Sequence, residues 1–341
     1  MLTSTTARSL AAAAGACTLL LLSGCHSGGS GTSSAGGTTG GGSAGSGGSK
    51  IPVAFVTNNS SDYWNICRSG ANAAAKELPN VDMQFIEPSD NSAATQIQDV
   101  NDLLTKGVKG IAISPSDPAN ETSFLNTVAS KTNLLTSDSD APNSNRLCYL
   151  GTDNHAAGLM AGGVIKQALP SGGKIMLFVG NKDAQNAHDR IAGIQDALKG
   201  SNITIADVRT DNADHTAARN NAADAIVSHP DVVGMVGIWS YNGPAIYNAV
   251  KAAGKQGKIK IIAFDQEADT MTGIKDGTIY GAIVQQPYQF GYQCIKLLDQ
   301  LAKGDKSGIP PSKQIIIPTQ VINQANLAQY QAAQAKLMGG S

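Results

Sequence analysis

Leu134-Leu135-Thr136-Ser137-Asp138 and Ile261-Ile262-Ala263-Phe264-Asp265 carry the deciding pattern of this 341-residue chain. Each is a short apolar run that stops on an aspartate, and each closes one half of a repeated order of segments. Before the first, Pro88-Ser89-Asp90-Asn91-Ser92-Ala93-Ala94 opens a helical stretch leading to Lys109-Gly110-Ile111-Ala112-Ile113. Before the second, Arg209-Thr210-Asp211-Asn212-Ala213-Asp214 opens another, leading to Val232-Val233-Gly234-Met235-Val236. Outward from these, β-rich runs recur at 53–56, 81–86, 110–113 and 133–135, then at 175–179, 203–208, 232–236, 259–264 and 279–284. Ile97, Val100 and Leu104 fall at helical spacing, and Gly107 stands where a left-handed cap would end that helix. Strand and helix in strict alternation predict the α/β class, with parallel sheets covered on both faces. Two doubly wound, Rossmann-like lobes facing one another would turn the carboxyl ends of both sheets into a shared cleft, where open α/β sheets place ligands.

The amino terminus is read as an address. Arg8 is the only charge before an apolar run from Leu10 to Leu22, which ends in Leu22-Ser23-Gly24-Cys25. A basic flank, a short apolar segment and small residues describe a signal peptide, and the run is too short to cross a bilayer. Its ending looks like a bacterial lipobox, which implies lipid on Cys25 and a membrane contact through that lipid only. Residues 26–49 contain 11 Gly, 7 Ser, 3 Thr, 2 Ala and one His. That composition buries nothing and predicts a flexible tether with a reach of about 25–30 Å.

The remaining residues, 50–341, suit two lobes better than one core. The sequence holds 25 Lys and Arg against 26 Asp and Glu, and loss of Arg8 with the leader leaves a net charge near −2. With no basic stripe, nucleic acid is not expected as a partner. Cys67, Cys148 and Cys294 remain once Cys17 and Cys25 are set aside; export would allow one disulfide and one thiol, or three buried structural thiols. His155, His188, His215 and His229 form no metal-spaced or triad-like set, and there is no nucleophile elbow, Walker loop or dinucleotide fingerprint. The expectation is a binding protein without enzymatic activity, without cofactor or metal.

A sugar presents hydroxyls and apolar C–H faces, so its site needs carboxylates and amides, an Arg fork and flat rings. The loop after the first strand, Thr57-Asn58-Asn59-Ser60-Ser61-Asp62-Tyr63-Trp64, sets two aromatics near a helix start. They are either ring covers or helix-packing residues, and Asp62 is read as the N-cap. Asp138 in Asp138-Ser139-Asp140, and Asp265, are either ligand acceptors or turn formers. Asn186 and Arg190, four apart, share one helix face near its amino-terminal end, as ligand partners or as a surface pair.

From Lys50 to about Asn323, these stations resemble the bacterial periplasmic solute-binding proteins of the ribose, galactose and xylose type, which feed ABC importers. The resemblance implies a type I periplasmic binding fold with a three-strand hinge near 151–154, 284–287 and 311–317. It implies residues 1–24 as signal peptide, 25–49 as linker, 50–152 and 286–313 as first lobe, 153–285 and 314–323 as second lobe, and 324–341 as tail. It further implies ligand contacts from Asn58, Tyr63, Trp64, Asp138, Asn186, Arg190 and Asp265, from Gln285 in Gln285-Gln286-Pro287, and from Trp239 or Tyr241. Ser139 and Asp140 depart from the ribose pattern, which usually has Arg after the first aspartate; Asp-Ser-Asp is similar to binders of rhamnose and of a furanone-like autoinducer. The implied protein is a monomer in the periplasm or at the cell surface, lipid-anchored, taking a monosaccharide or polyol to an ABC permease, or else presenting it to a chemoreceptor or kinase. A repressor role is excluded because no helix-turn-helix pattern lies before Lys50 and a lipobox does.

Overall fold

The computed structural model describes residues 50–339; the expected signal peptide, Cys25 and the Gly/Ser linker lie outside the described residues. The chain begins β1 (Ile51–Val56), α1 (Asp62–Glu77), β2 (Val81–Ile86), α2 (Ala93–Thr105), β3 (Gly110–Ile113), α3 (Pro118–Lys131), β4 (Asn133–Ser137) and β5 (Cys148–Gly151). It then crosses into α4 (Asn154–Ala168), β6 (Gly173–Val179), α5 (Gln185–Leu198), β7 (Ile203–Thr210), α6 (His215–Ser228), β8 (Val232–Gly237), α7 (Asn242–Ala252), β9 (Lys260–Phe264), α8 (Ala268–Asp276) and β10 (Ile279–Val284). It returns through α9 (Pro287–Ala302) and β11 (Gln314–Ile316), and crosses last into β12 (Gln320–Ile322) and α10 (Leu327–Gly339). The two sheets have orders β11-β5-β4-β3-β1-β2 and β12-β10-β9-β8-β6-β7. Each is a doubly wound α/β lobe.

The sequence pattern explains the layers. The central strands are buried along nearly their whole length, as continuous apolar runs covered by helices on both sides must be. In α2 the buried side chains are Gln96, Val100 and Leu103, so the inner face runs one residue ahead of the expected stripe and Ile97 and Leu104 lie at its edge. Gly107 adopts φ 75°, the left-handed stop expected there.

The third crossing differs from expectation. Residues 314–316 are assigned by sequence to the second lobe, but β11 pairs parallel with β5, Gln314 opposite Tyr149. The chain therefore crosses at 317–319. The unbroken Ile315-Ile316-Ile317 run gives no sign of where pairing stops; Pro318 decides it, because it has no N–H to continue a ladder after Ile317 N–H bonds Gly151 O at 2.8 Å. The expected tail is a helix, α10, whose Leu327 and Tyr330 join the second-lobe core. Cys67, Cys148 and Cys294 are all free and buried, so no disulfide forms among the described residues.

The internal repeat is real in backbone terms. Asp138 and Asp265 both follow a strand at φ 63°, and Asn91 and Asn212, each after an edge strand, sit at φ 56° and 54°. Only Asn and Asp among non-glycine residues visit this region readily. Each lobe also packs one helix pair through glycine. A Cβ on Gly70 would stand 1.9 Å from Tyr288 O, joining α1 to α9, and one on Gly158 would stand 2.3 Å from Arg190 O, joining α4 to α5.

Candidate functional site

The carboxyl ends of both sheets open on one cavity with about 300 Å³ of empty space, part of it open to solvent. Asn58, Tyr63, Trp64 and Asp138 line it from the first lobe; Asn186, Arg190, Trp239, Tyr241, Asp265 and Gln285 line it from the second. All ten sequence-predicted positions thus face one space, joined by Asn59, Ser61 and Ser240, which the sequence reading does not single out.

Asp138 follows β4 directly and is almost fully buried. Its Oδ1 accepts from Tyr63 Oη at 3.0 Å; its Oδ2 accepts from Ser114 Oγ at 2.9 Å and from Asn186 Nδ2 at 3.1 Å. The Asn186 bond crosses the cleft, so this carboxylate ties the lobes together. Burial raises its pKa, while the Arg190 cation and the three donors pull it back. Burial, then the Asp138 charge, push the Tyr63 phenol well above its usual range, so it stays a donor.

Arg190 is 1% exposed, and an unpaired buried cation would be costly. Its Nε donates to Asn154 Oδ1 at 2.9 Å and its Nη1 to Ile238 O at 2.8 Å, with the guanidinium 4.6 Å from the Phe264 ring centre. Nη2 has no partner. Across the cavity wall, Asp265 Oδ1 accepts from Gln285 N–H at 3.0 Å and Oδ2 from Gln285 Nε2 at 2.9 Å, which leaves Gln285 Oε1 unpartnered. Burial pushes the Asp265 carboxyl up to about 6 against the pull of Arg190. The cavity therefore offers one fixed donor, the unpartnered amide oxygens of Gln285 and Asn59, and two carboxylates with lone pairs to spare.

The rings are held as firmly. Trp64 packs 5.9 Å from Phe55 and edge-on to Tyr63 at 5.0 Å. Trp239 Nε1 donates to Asn186 Oδ1 at 3.3 Å. Tyr241 Oη donates to Asp211 Oδ1 at 2.6 Å, and Asn242 bridges from Asp211 Oδ2 at 2.8 Å to Trp239 N–H at 3.1 Å. Asp211 thus fixes the loop carrying both aromatics, yet in sequence it is only part of a turn. Gln96 does the same in the first lobe: its Nε2 donates to Thr57 O at 2.6 Å and Ser114 O at 2.8 Å. A lone Gln inside a helix gives no sequence signal of this.

One reading is corrected. The α1 N-cap is Ser61, and Asp62 is exposed in the first turn, accepting from Asn65 at 3.3 Å. Asp140 does not line the cavity; the bidentate Arg146 fork takes it, with Nη2 at 2.6 Å, while Arg146 Nη1 reaches Lys313 O at 3.0 Å and clamps the chain entering β11. Among the described residues no group of three or more His, Cys, Asp or Glu is placed to hold a metal.

Two doubly wound lobes, joined by three crossings and closing on one buried polar cavity, define a type I solute-binding architecture. The chain belongs to the periplasmic binding protein family, whose domain profile matches residues 53–306. It is 26% identical to a ribose import binding protein of Salmonella typhimurium over 223 residues, 64% of this chain and 74% of that one. An ABC transporter solute-binding protein of Burkholderia graminis, solved with D-arabinose, is 30% identical with a TM-score of 0.78, covering 83% of this chain and 98% of that one. A glucose-galactose binding protein of Geobacillus stearothermophilus is 27% identical with a TM-score of 0.77, over 82% of this chain and 99% of that one.

Proposed function

We propose that the protein is an extracytoplasmic lipoprotein that captures a monosaccharide or related polyol between its lobes and delivers it to an ABC permease, with no catalysis. The observation that carries the reading is the pair of unpartnered buried atoms, Arg190 Nη2 and Gln285 Oε1, facing one cavity with Asp138 and Asp265. A donor, an acceptor and two carboxylates flanked by Tyr63, Trp64, Trp239 and Tyr241 match the hydroxyls and C–H faces of a sugar. The relatives named for ribose, arabinose, glucose and galactose support the same class.

Closure is the working step. A solute held by one lobe gains contacts from the other only in the closed form, and the permease reads that form. Cys25 supplies the lipid, the Gly/Ser segment the tether, and the body works as a monomer. Thermal-shift measurement of the purified protein against a sugar and polyol panel tests the binding: one ligand class should raise Tm in a concentration-dependent way. A flat response across the panel, or hydrolysis of any glycoside, overturns the reading. Metabolic labelling with a fatty acid tests the anchor, and label on a Cys25→Ser variant would refute it.

A further inference from the structure

A second, larger cavity adjoins the first. It has about 950 Å³ of empty space, open solvent at the cleft mouth included, and Asn58 and Trp239 form part of the wall of both. Loops after β2 and β3 line it from the first lobe, and loops after β6 and β7 from the second. Two hydrogen bonds join the lobes around it, Asn181 Nδ2 to Ser116 O at 3.2 Å and Asn91 Nδ2 to Ala213 O at 3.5 Å. The contacts that bring the lobes together therefore also set the width of this vestibule.

Its chemistry is one-sided. The lining includes the amides of Asn58, Asn91, Asn181 and Asn212, the carboxylates of Asp90, Asp117 and Asp183, and no Lys, Arg or His. Amides and carboxylates suit hydroxyl groups, and uncompensated carboxylates repel phosphate or uronate. A solute confined to the inner cavity would leave this room unused. Resting on the sugar-binding reading above, we infer that the solute is a neutral glycoside, with one ring in the inner cavity and its glycosidic substituent passing Asn58 and Trp239 into the vestibule.

Calorimetric titration of the purified protein tests this with D-glucose, D-galactose, D-xylose and L-arabinose, and with the neutral disaccharides cellobiose, galactobiose, xylobiose and arabinobiose. One disaccharide should bind at least tenfold more tightly than its own monosaccharide. Asp183 is exposed, and its side chain makes no hydrogen bond, so Asp183→Trp can obstruct the vestibule from its own loop, outside the inner wall. That variant should erase the tenfold gain and leave the monosaccharide affinity unchanged. Monosaccharide binding with no gain for any disaccharide, or a gain that survives in Asp183→Trp, overturns the glycoside inference and leaves the sugar reading standing. Binding of none of the eight sinks the glycoside inference, and a flat response across the sugar and polyol panel above sinks the sugar reading as well.

Discussion

The two lobes are one plan with two endings. Strand order, the left-handed aspartates at 138 and 265, and the glycine-seated helix pairs match from one lobe to the other. The endings differ. The first sheet gains a parallel edge strand, β11, and the second an antiparallel one, β12. Asp138 is held by three side chains, one of them from the opposite lobe, whereas Asp265 leans on Gln285 alone. The second lobe also supplies the cation, Arg190. A duplicated backbone fixes where polar groups point, and later side-chain choice decides which lobe presents a preformed acceptor and which closes on it.

The largest effect should come from removing what the first lobe lacks. Arg190→Ala leaves two buried carboxylates without their counter-charge and should weaken solute binding by about 2–5 kcal/mol, measured by calorimetry. Wild-type affinity in that variant would remove the asymmetry from the function. Next in size is the helix seat. Gly158→Val drives a side chain into the Arg190 carbonyl and should cost about 3 kcal/mol of stability, near the upper end for overpacking, as Gly70→Val should through Tyr288. Chemical denaturation measures both. Only Gly158→Val should also lower affinity in the fraction that remains folded, because only that seat carries the guanidinium.

The aspartate pair sharpens the comparison at lower cost. Asp138→Asn sets an amide N–H against the donors of Asn186 or Tyr63 and should weaken binding by about 2 kcal/mol. Asp265→Asn can be met by a flip of the Gln285 amide, so about 1 kcal/mol is expected. Equal losses would mean the two acceptors are interchangeable.

How much of this was legible follows from what each feature rests on. Asp138 and Asp265 were readable because a strand's carboxyl end is marked by where an apolar run stops. Asn186 and Arg190 were readable from helical spacing, and Gln285 and Trp239 only through family resemblance. Asp211 and Gln96 were not, since each acts through a hydrogen bond to a distant loop, and no local pattern encodes that partner. The β11 boundary was hidden because three isoleucines in a row carry no periodicity. Asp140 could not be placed from sequence, because its partner, Arg146, lies beyond a turn.

A further difference separates the lobes by pH. Glu121 in the first lobe is 2% exposed, neither side-chain oxygen has a partner, and burial pushes its carboxyl up to about 7. The second lobe's Asp211 and Glu267 are raised by burial too, to about 6 and about 7, but Tyr241, Asn242 and Ser240 donate to them. A carboxyl with a folded-state pKa above its unfolded value holds a proton that the unfolded chain has already released. Between about 4.5 and 7 the fold therefore loses stability from Glu121 as pH rises, and above 7 the full penalty is present. Glu121→Gln has no such proton to lose. Relative to wild type it should gain about 2 kcal/mol on going from pH 5 to pH 8, within the limit set by 1.36 kcal/mol per pKa unit, while the cost of the unpartnered amide is the same at both pH values and cancels. Asp211→Asn should instead lose at pH 8, since its acceptors hold the aromatic loop and an amide turns one of them into a donor. Denaturation midpoints at the two pH values measure both variants, and a pH-independent difference for Glu121→Gln would show that this carboxyl titrates as an exposed one.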